Sequence, residues 1–128
     1  MTLPVEASLN ILRERLQRRE AELRSAVLDA KAAAAERASA QGPQVEDPAE
    51  EGEQRNRGGV EHAEMQRHLR ELVDIEQARQ RIADGGYGEC ADCGRHIVVE
   101  RLLAQPTATR CVACQNAHEA THPPLRFA

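Results

Sequence analysis

Residues 90–114 read "CADCGRHIVVERLLAQPTATRCVAC" and contain all four cysteines of the 128-residue chain. They form two pairs, Cys90-x-x-Cys93 and Cys111-x-x-Cys114. Each pair brings two thiolates within reach of one ion, and the intervening loop brings the pairs together. This is the spacing of a four-thiolate zinc site. Four protein ligands leave no position for water, so the expected zinc is a single structural ion held by Cys90, Cys93, Cys111 and Cys114. The competing redox reading of C-x-x-C would need only one pair and a strand-helix context of the thioredoxin type. Gly88 and Gly94 lie where backbone amides can turn toward the sulfurs. "RHIVVE" between the pairs reads as a short strand, and "QNAHEATH" after the last cysteine as a short helix. His118, four residues past Cys114, is read as a surface histidine and not a fifth ligand. His62, His96 and His122 show no pairing signal.

Working outward, the composition explains why a metal clamp matters. The chain has one Tyr, one Phe and no Trp, and aromatics ordinarily supply much of a core's buried area. Ala, Leu, Arg, Glu and Gln dominate, as they do in long helices and coiled coils. Stability is therefore expected from helix-on-helix packing and from metal. From about Val5 to Ala40, Leu9, Leu12, Leu16, Leu23, Ala26, Ala30 and Ala33 alternate at three and four residues, with Arg19 interrupting, as in a coiled-coil seam. Pro4 is placed just before this helix. From about Val60 to Ala83, Met65, His68, Leu72, Ile75, Arg79 and Ile82 repeat the pattern, with Leu69 and Val73 broadening it. Asp84-Gly85-Gly86 ends the second helix.

Between the helices, "QGPQVEDPAEEGEQRNRGG" carries Gly42-Pro43, Asp47-Pro48, Gly52 and Gly58-Gly59. These are turn and breaker signals, so an acidic, partly ordered connection is expected. Asp47 could cap a short turn with Pro48 in its first position. The fold class is therefore mostly α: a long antiparallel helical hairpin (coiled coil) over 1–84 with its tip near 42–59, and a small four-cysteine zinc finger with a short terminal helix and tail over 85–128. A helix of about 35 residues runs ~50 Å, so tip and finger are expected far apart.

Seventeen Lys and Arg against 21 Asp and Glu give a net charge of −4. From Gly85 onward Arg95, Arg101, Arg110 and Arg126 face Glu89, Asp92, Glu100 and Glu119. No basic stripe results, which disfavours DNA binding through the finger. No apolar run suggests a membrane span, and no secretory signal opens the chain; a cytoplasmic protein is expected. No Ser/His/Asp or paired-carboxylate set can be placed on a pocket, so the chain is read as a non-enzyme.

The run "DGGYGECADCGRHIVVERLLAQPTATRCVAC" resembles the zinc-finger segment of the DksA/TraR family of bacterial transcription regulators. The Gly-Tyr-Gly approach, the spacing of all four cysteines and "RLLAQPTATRC" carry the resemblance, and the helical hairpin is similar in architecture. The resemblance implies binding to RNA polymerase, with the coiled coil in its secondary channel and an acidic tip near the catalytic centre. At the tip, the namesake branch of the family carries Asp-x-x-Asp-x-Ala. This chain has Asp47-Pro48-Ala49-Glu50-Glu51-Gly52: Asp47 matches, Glu50 keeps the charge on a longer arm, and Gly52 replaces the Ala. Arg67, Arg70, Arg95 and Arg101 are the implied polymerase contacts. The resemblance also implies a guanosine tetraphosphate site. Arg67 stands where one basic residue is expected, but Asp74 and Gln115 stand at two others, which argues against a full alarmone response. The alternative is a helical adaptor or dimer joined through Leu9, Leu12, Leu16 and Leu23.

Overall fold

The structure is a computed structural model that describes residues 3–40 and 48–122, with side chains described over 7–40 and 58–122. Four helices follow in order: α1 Leu3–Ala40, α2 Pro48–Asp84, α3 Val99–Ala104 and α4 Val112–Thr121. Among the described residues there is no strand, only an isolated antiparallel bridge between Glu89 and His96. The fold is mostly α, as the seam periodicity predicts. Among the described residues no helix is long and apolar enough to cross a membrane.

The described chain divides into two compact units, Met1–Gln17 with Ile75–Ala128, and Arg18–Asp74. In the second unit, the two long helices run antiparallel. Arg19 pairs with Glu71 through two contacts, Nε to Oε2 at 2.5 Å and Nη2 to Oε1 at 3.0 Å. Further along, Arg37 Nη1 reaches Glu61 Oε1 at 3.0 Å. Numbers rising on α1 thus meet numbers falling on α2. Leu23 and Val27 are buried here. In the first unit, Leu12 and Leu16 of α1 and Ile75 and Ala78 of α2 are almost fully buried, together with Tyr87, Ile97, Leu102 and Ala108. Arg15 of α1 donates to the Leu103 carbonyl, which ties the first helix to the end of α3.

Several local expectations are corrected. α1 begins at Leu3, so Pro4 lies within the first turn, where its missing N–H leaves no bond unmade. α2 begins at Pro48 and not near Val60; it continues through Gly52 and Gly58-Gly59. A Cβ at Gly58 or Gly59 would meet nothing within 4 Å, so these glycines weaken the helix without breaking it. The expected cap at Asp47 lies outside the described residues. Along the seam, Val27 and Ala78 are buried, whereas Ala30 is exposed. Leu69 and Val73 are exposed too, at 39% and 55%, and do not broaden the stripe. The expected strand in "RHIVVE" is absent: His96 makes one bridge, and helix α3 starts at Val99. Those residues reach the core singly, through Ile97.

Candidate metal centre

The first cysteine pair sits on a tight turn built by the backbone. Cys90 N–H donates to the Arg95 carbonyl at 2.8 Å, and Gly94 N–H returns to the Cys90 carbonyl at 3.0 Å. Gly94 has φ +76° and Gly88 has φ +85°. Both lie in the left-handed region, where a Cβ would crowd the following carbonyl by roughly 1–2 kcal/mol. The Gly88 carbonyl in turn accepts from Ile97 N–H at 2.7 Å. The glycines flanking the first pair therefore set the turn that presents the sulfurs.

The second pair opens α4. Cys111 is the helix N-cap residue, and its carbonyl accepts from Gln115 N–H at 2.8 Å. Cys114 lies on the first turn, three residues on, which places both sulfurs on one side. Two bonds hold this pair against the first, and a third ties its approach to α3. Ala91 N–H donates to the Thr109 carbonyl at 2.8 Å. Arg110 Nε donates to Asp92 Oδ2 at 2.8 Å. Arg101 Nε donates to the Arg110 carbonyl at 2.9 Å.

The result is a group of four Sγ atoms all within 4.8 Å of one another, with Cys93 and Cys111 at 3.9 Å. Zinc–sulfur bonds of about 2.3 Å in a tetrahedron set the sulfurs about 3.8 Å apart. The donor set therefore fits zinc in both chemistry and spacing. The electrostatics point the same way. Backbone N–H groups of Cys93 and then Cys111 draw the Cys90 thiol down to about 6, against the opposing effect of burial. Cys114 is pushed up to about 12, first by its sulfur neighbour Cys111 and then by Cys90. One thiolate forms readily, but four this close repel one another, and a divalent cation is what allows the rest to ionise. Bound there, zinc supplies a structural crosslink with no open coordination position. Cys90, Cys93, Cys111 and Cys114 would hold it.

The remaining residues singled out in the sequence are dispersed. Arg67, Arg70 and Arg95 are exposed. Arg101 is half-buried and engaged with Arg110. Asp47 lies outside the described residues, and Glu50 falls in the first turn of α2, where only the backbone is described. Two contacts escaped sequence reasoning. Tyr87 is buried, and its hydroxyl donates to the Pro106 carbonyl at 2.8 Å. The rings of His118 and His122 stack, with centroids 4.5 Å apart. Their four-residue spacing on a helix was the signal available for that pair; weighing each histidine singly missed it.

Residues 85–120 match the family described as the prokaryotic dksA/traR C4-type zinc finger. The chain is similar to the RNA polymerase-binding transcription factor DksA of Caulobacter vibrioides, 47% identical over 51 residues, 39% of this chain and 36% of that protein. It is also similar to the protein of the same name from Escherichia coli, 30% identical over 73 residues, 57% of this chain and 48% of that one. The chain thus matches less than half the length of these relatives. Over nearly its whole length it resembles the solved structure of transcription factor DksA2 from Pseudomonas aeruginosa, with TM-score 0.77 and 28% identity, covering 96% of this chain and 92% of that one. Residues 85–120 thus carry a dksA/traR C4-type zinc finger, and the helical fold resembles that of the transcription factor DksA2.

Proposed function

We propose that this chain is a non-enzymatic regulator of bacterial transcription that binds RNA polymerase. The observation that carries the reading is the joint match of the finger to relatives named for polymerase binding and of the fold to a transcription factor. Charge supports it: the net of −4 and the absence of a basic stripe in the sequence argue for a protein partner over DNA. In this reading residues 85–128 are the zinc-clamped base and 1–84 the helical probe. The probe enters the polymerase secondary channel, and Asp47 and Glu50 act electrostatically near the catalytic centre. Arg67, Arg70 and Arg95 are the exposed cations for the channel rim. Arg101 contributes through the nitrogens it does not give to Arg110. Asp74 and Gln115 weaken any guanosine tetraphosphate response. The cytoplasm is the compartment this role requires.

The rival reading, a dimer through Leu9, Leu12, Leu16 and Leu23, has less surface to use, with Leu9 half-buried. Leu12, Leu16 and Leu23 are no more than 1% exposed within a single chain. The test of the main reading is co-elution of the zinc-loaded protein with RNA polymerase. Binding that survives Arg67→Ala alone but is lost on combining it with Arg70→Ala and Arg95→Ala is expected. Absence of co-elution for the wild type would reject it.

A further inference from the structure

We propose that α4 carries a second metal site, separate from the four cysteines, in which His118 and His122 form a two-imidazole chelate for a divalent transition ion of the nickel, copper or zinc class. Residues 118–122 read His-Glu-Ala-Thr-His. This spacing puts two imidazoles on one face of a helix, the arrangement that holds zinc when H-E-x-x-H lies on a helix. Here the residues do lie on one: α4 runs through Thr121, with His122 as its C-cap residue. The rings are nearly parallel, at 15°, with centroids 4.5 Å apart. Two nitrogens bound to one ion at about 2.1 Å stand roughly 3 Å apart; the stack brings the two rings together, and each turns about its side-chain bonds so that the lone pair in its ring plane meets the ion.

The hydrogen bonds around His122 favour ligation by one particular nitrogen. Its Nδ1 lies 2.8 Å from Thr121 Oγ1 and 3.3 Å from the His118 carbonyl. Thr121 Oγ1 is itself 3.1 Å from that carbonyl, to which its hydroxyl can donate. The hydroxyl oxygen then accepts from Nδ1–H. That tautomer leaves Nε2 unprotonated, with its lone pair free for a metal. Metal-binding histidines are oriented in this manner by a hydrogen bond on the opposite nitrogen. Imidazole suits nickel, copper and zinc alike.

The same geometry separates this site from a hydrolytic one. Glu119, the residue that serves as general base in helical zinc hydrolases, instead accepts from Gln115 Nε2 at 3.0 Å. Among the described residues, the four cysteines are the one group of three or more donors arranged to hold an ion. The histidine site thus has two protein ligands, and water completes the coordination. It is a binding site for a metal and not a centre that turns substrate over.

The test uses the full chain loaded with one zinc, titrated with nickel chloride by calorimetry, with the histidine imidazoles followed by NMR. One added equivalent is expected, with paramagnetic broadening confined to His118 and His122. His118→Gln or His122→Gln should each weaken binding on the order of a hundredfold, because the second ligand of a chelate binds intramolecularly. His96→Gln should leave it unchanged. Helix content and retained zinc report that the variants still fold. The NMR result on the wild type needs no variant. The proposal is overturned by the absence of a nickel equivalent, by broadening centred on His62, His68 or His96, or by undiminished binding in both histidine variants.

Discussion

The hydroxyl of Tyr87 donates to the carbonyl of Pro106 across 2.8 Å. This one bond joins the Gly-Tyr-Gly approach to the first cysteine pair with the "RLLAQPTATRC" approach to the second. The two sequence features that most clearly mark the finger are thus partners in space. The ring is buried along with Ile97 and Leu102, which are almost fully enclosed. In a chain with a single Tyr and no Trp, it is the largest aromatic contribution the described core has.

Replacing Tyr87 with Phe keeps the ring and orphans the Pro106 carbonyl. A loss of about 1–2 kcal/mol is expected, read as a lower midpoint in denaturant with an unchanged slope. Burial also pushes the Tyr87 hydroxyl up to about 12 from its ordinary value of 10.0. The folded state therefore favours the neutral phenol. The stability this supplies is present in full below about pH 10 and is lost as pH rises toward 12. Since Tyr87 is the only tyrosine, tyrosinate absorbance assigns the titration directly. A midpoint at the ordinary value in the folded protein would contradict the burial.

Removing the metal should act on the whole first unit. Structural zinc contributes roughly 10–16 kcal/mol in small finger peptides, and here Tyr87, Ile97, Leu102 and Ala108 form the buried core of the cysteine-bearing segment. Chelation, or Cys114→Ser, is expected to abolish the near-ultraviolet dichroism of Tyr87 and to deplete the chain of its zinc. Circular dichroism and metal analysis check this together.

The Arg19–Glu71 pair should matter much less. Glu71 is held below its usual carboxylate range, first by the hydrogen bonds from Arg19. Its contribution is therefore present above its ordinary value of 4.5 and is lost as pH falls. Both side chains are substantially exposed, 48% and 36%, so Glu71→Gln should cost no more than about 1 kcal/mol. That cost should shrink further as salt rises. Thermal melts at neutral pH in low and high salt measure it.

Gly58 and Gly59 lie inside α2 with open space where a Cβ would go. Replacing each with Ala should stabilise the helix by about 1 kcal/mol, the propensity difference in an exposed helix interior. Rising helical dichroism and slower amide exchange around the two positions are the expected signs. Destabilisation would mean that the glycines meet something beyond their own helix.

These cases show where the sequence was legible. The cysteine spacing revealed the metal centre because ligand geometry constrains spacing tightly. α1 was legible because leucines at three and four residues bury one stripe. The start of α2 was not: Gly52 and Gly58-Gly59 read as breakers, yet a glycine in a helix costs only about 1 kcal/mol, which flanking helix can absorb. Leu69 and Val73 misled for a different reason. Hydrophobicity does not force burial on a helix with one partner face, and both remain exposed. Ala78 was overlooked because a small residue carries little hydropathy, although only a small residue fits where helices approach closely. "RHIVVE" read as a strand because β-branched residues favour one, but Ile97 is the one side chain of that run that is buried.

The central claim is regulation of RNA polymerase through the helical probe. The most direct measurement is the half-life of promoter complexes formed by purified polymerase, with wild type and with the double variant Asp47→Asn, Glu50→Gln. The account predicts that wild type changes the half-life, and that the double variant binds polymerase equally well but loses the effect. A double variant that binds and acts like wild type would contradict the role of the tip, and a wild type that leaves the half-life unchanged would contradict the function itself.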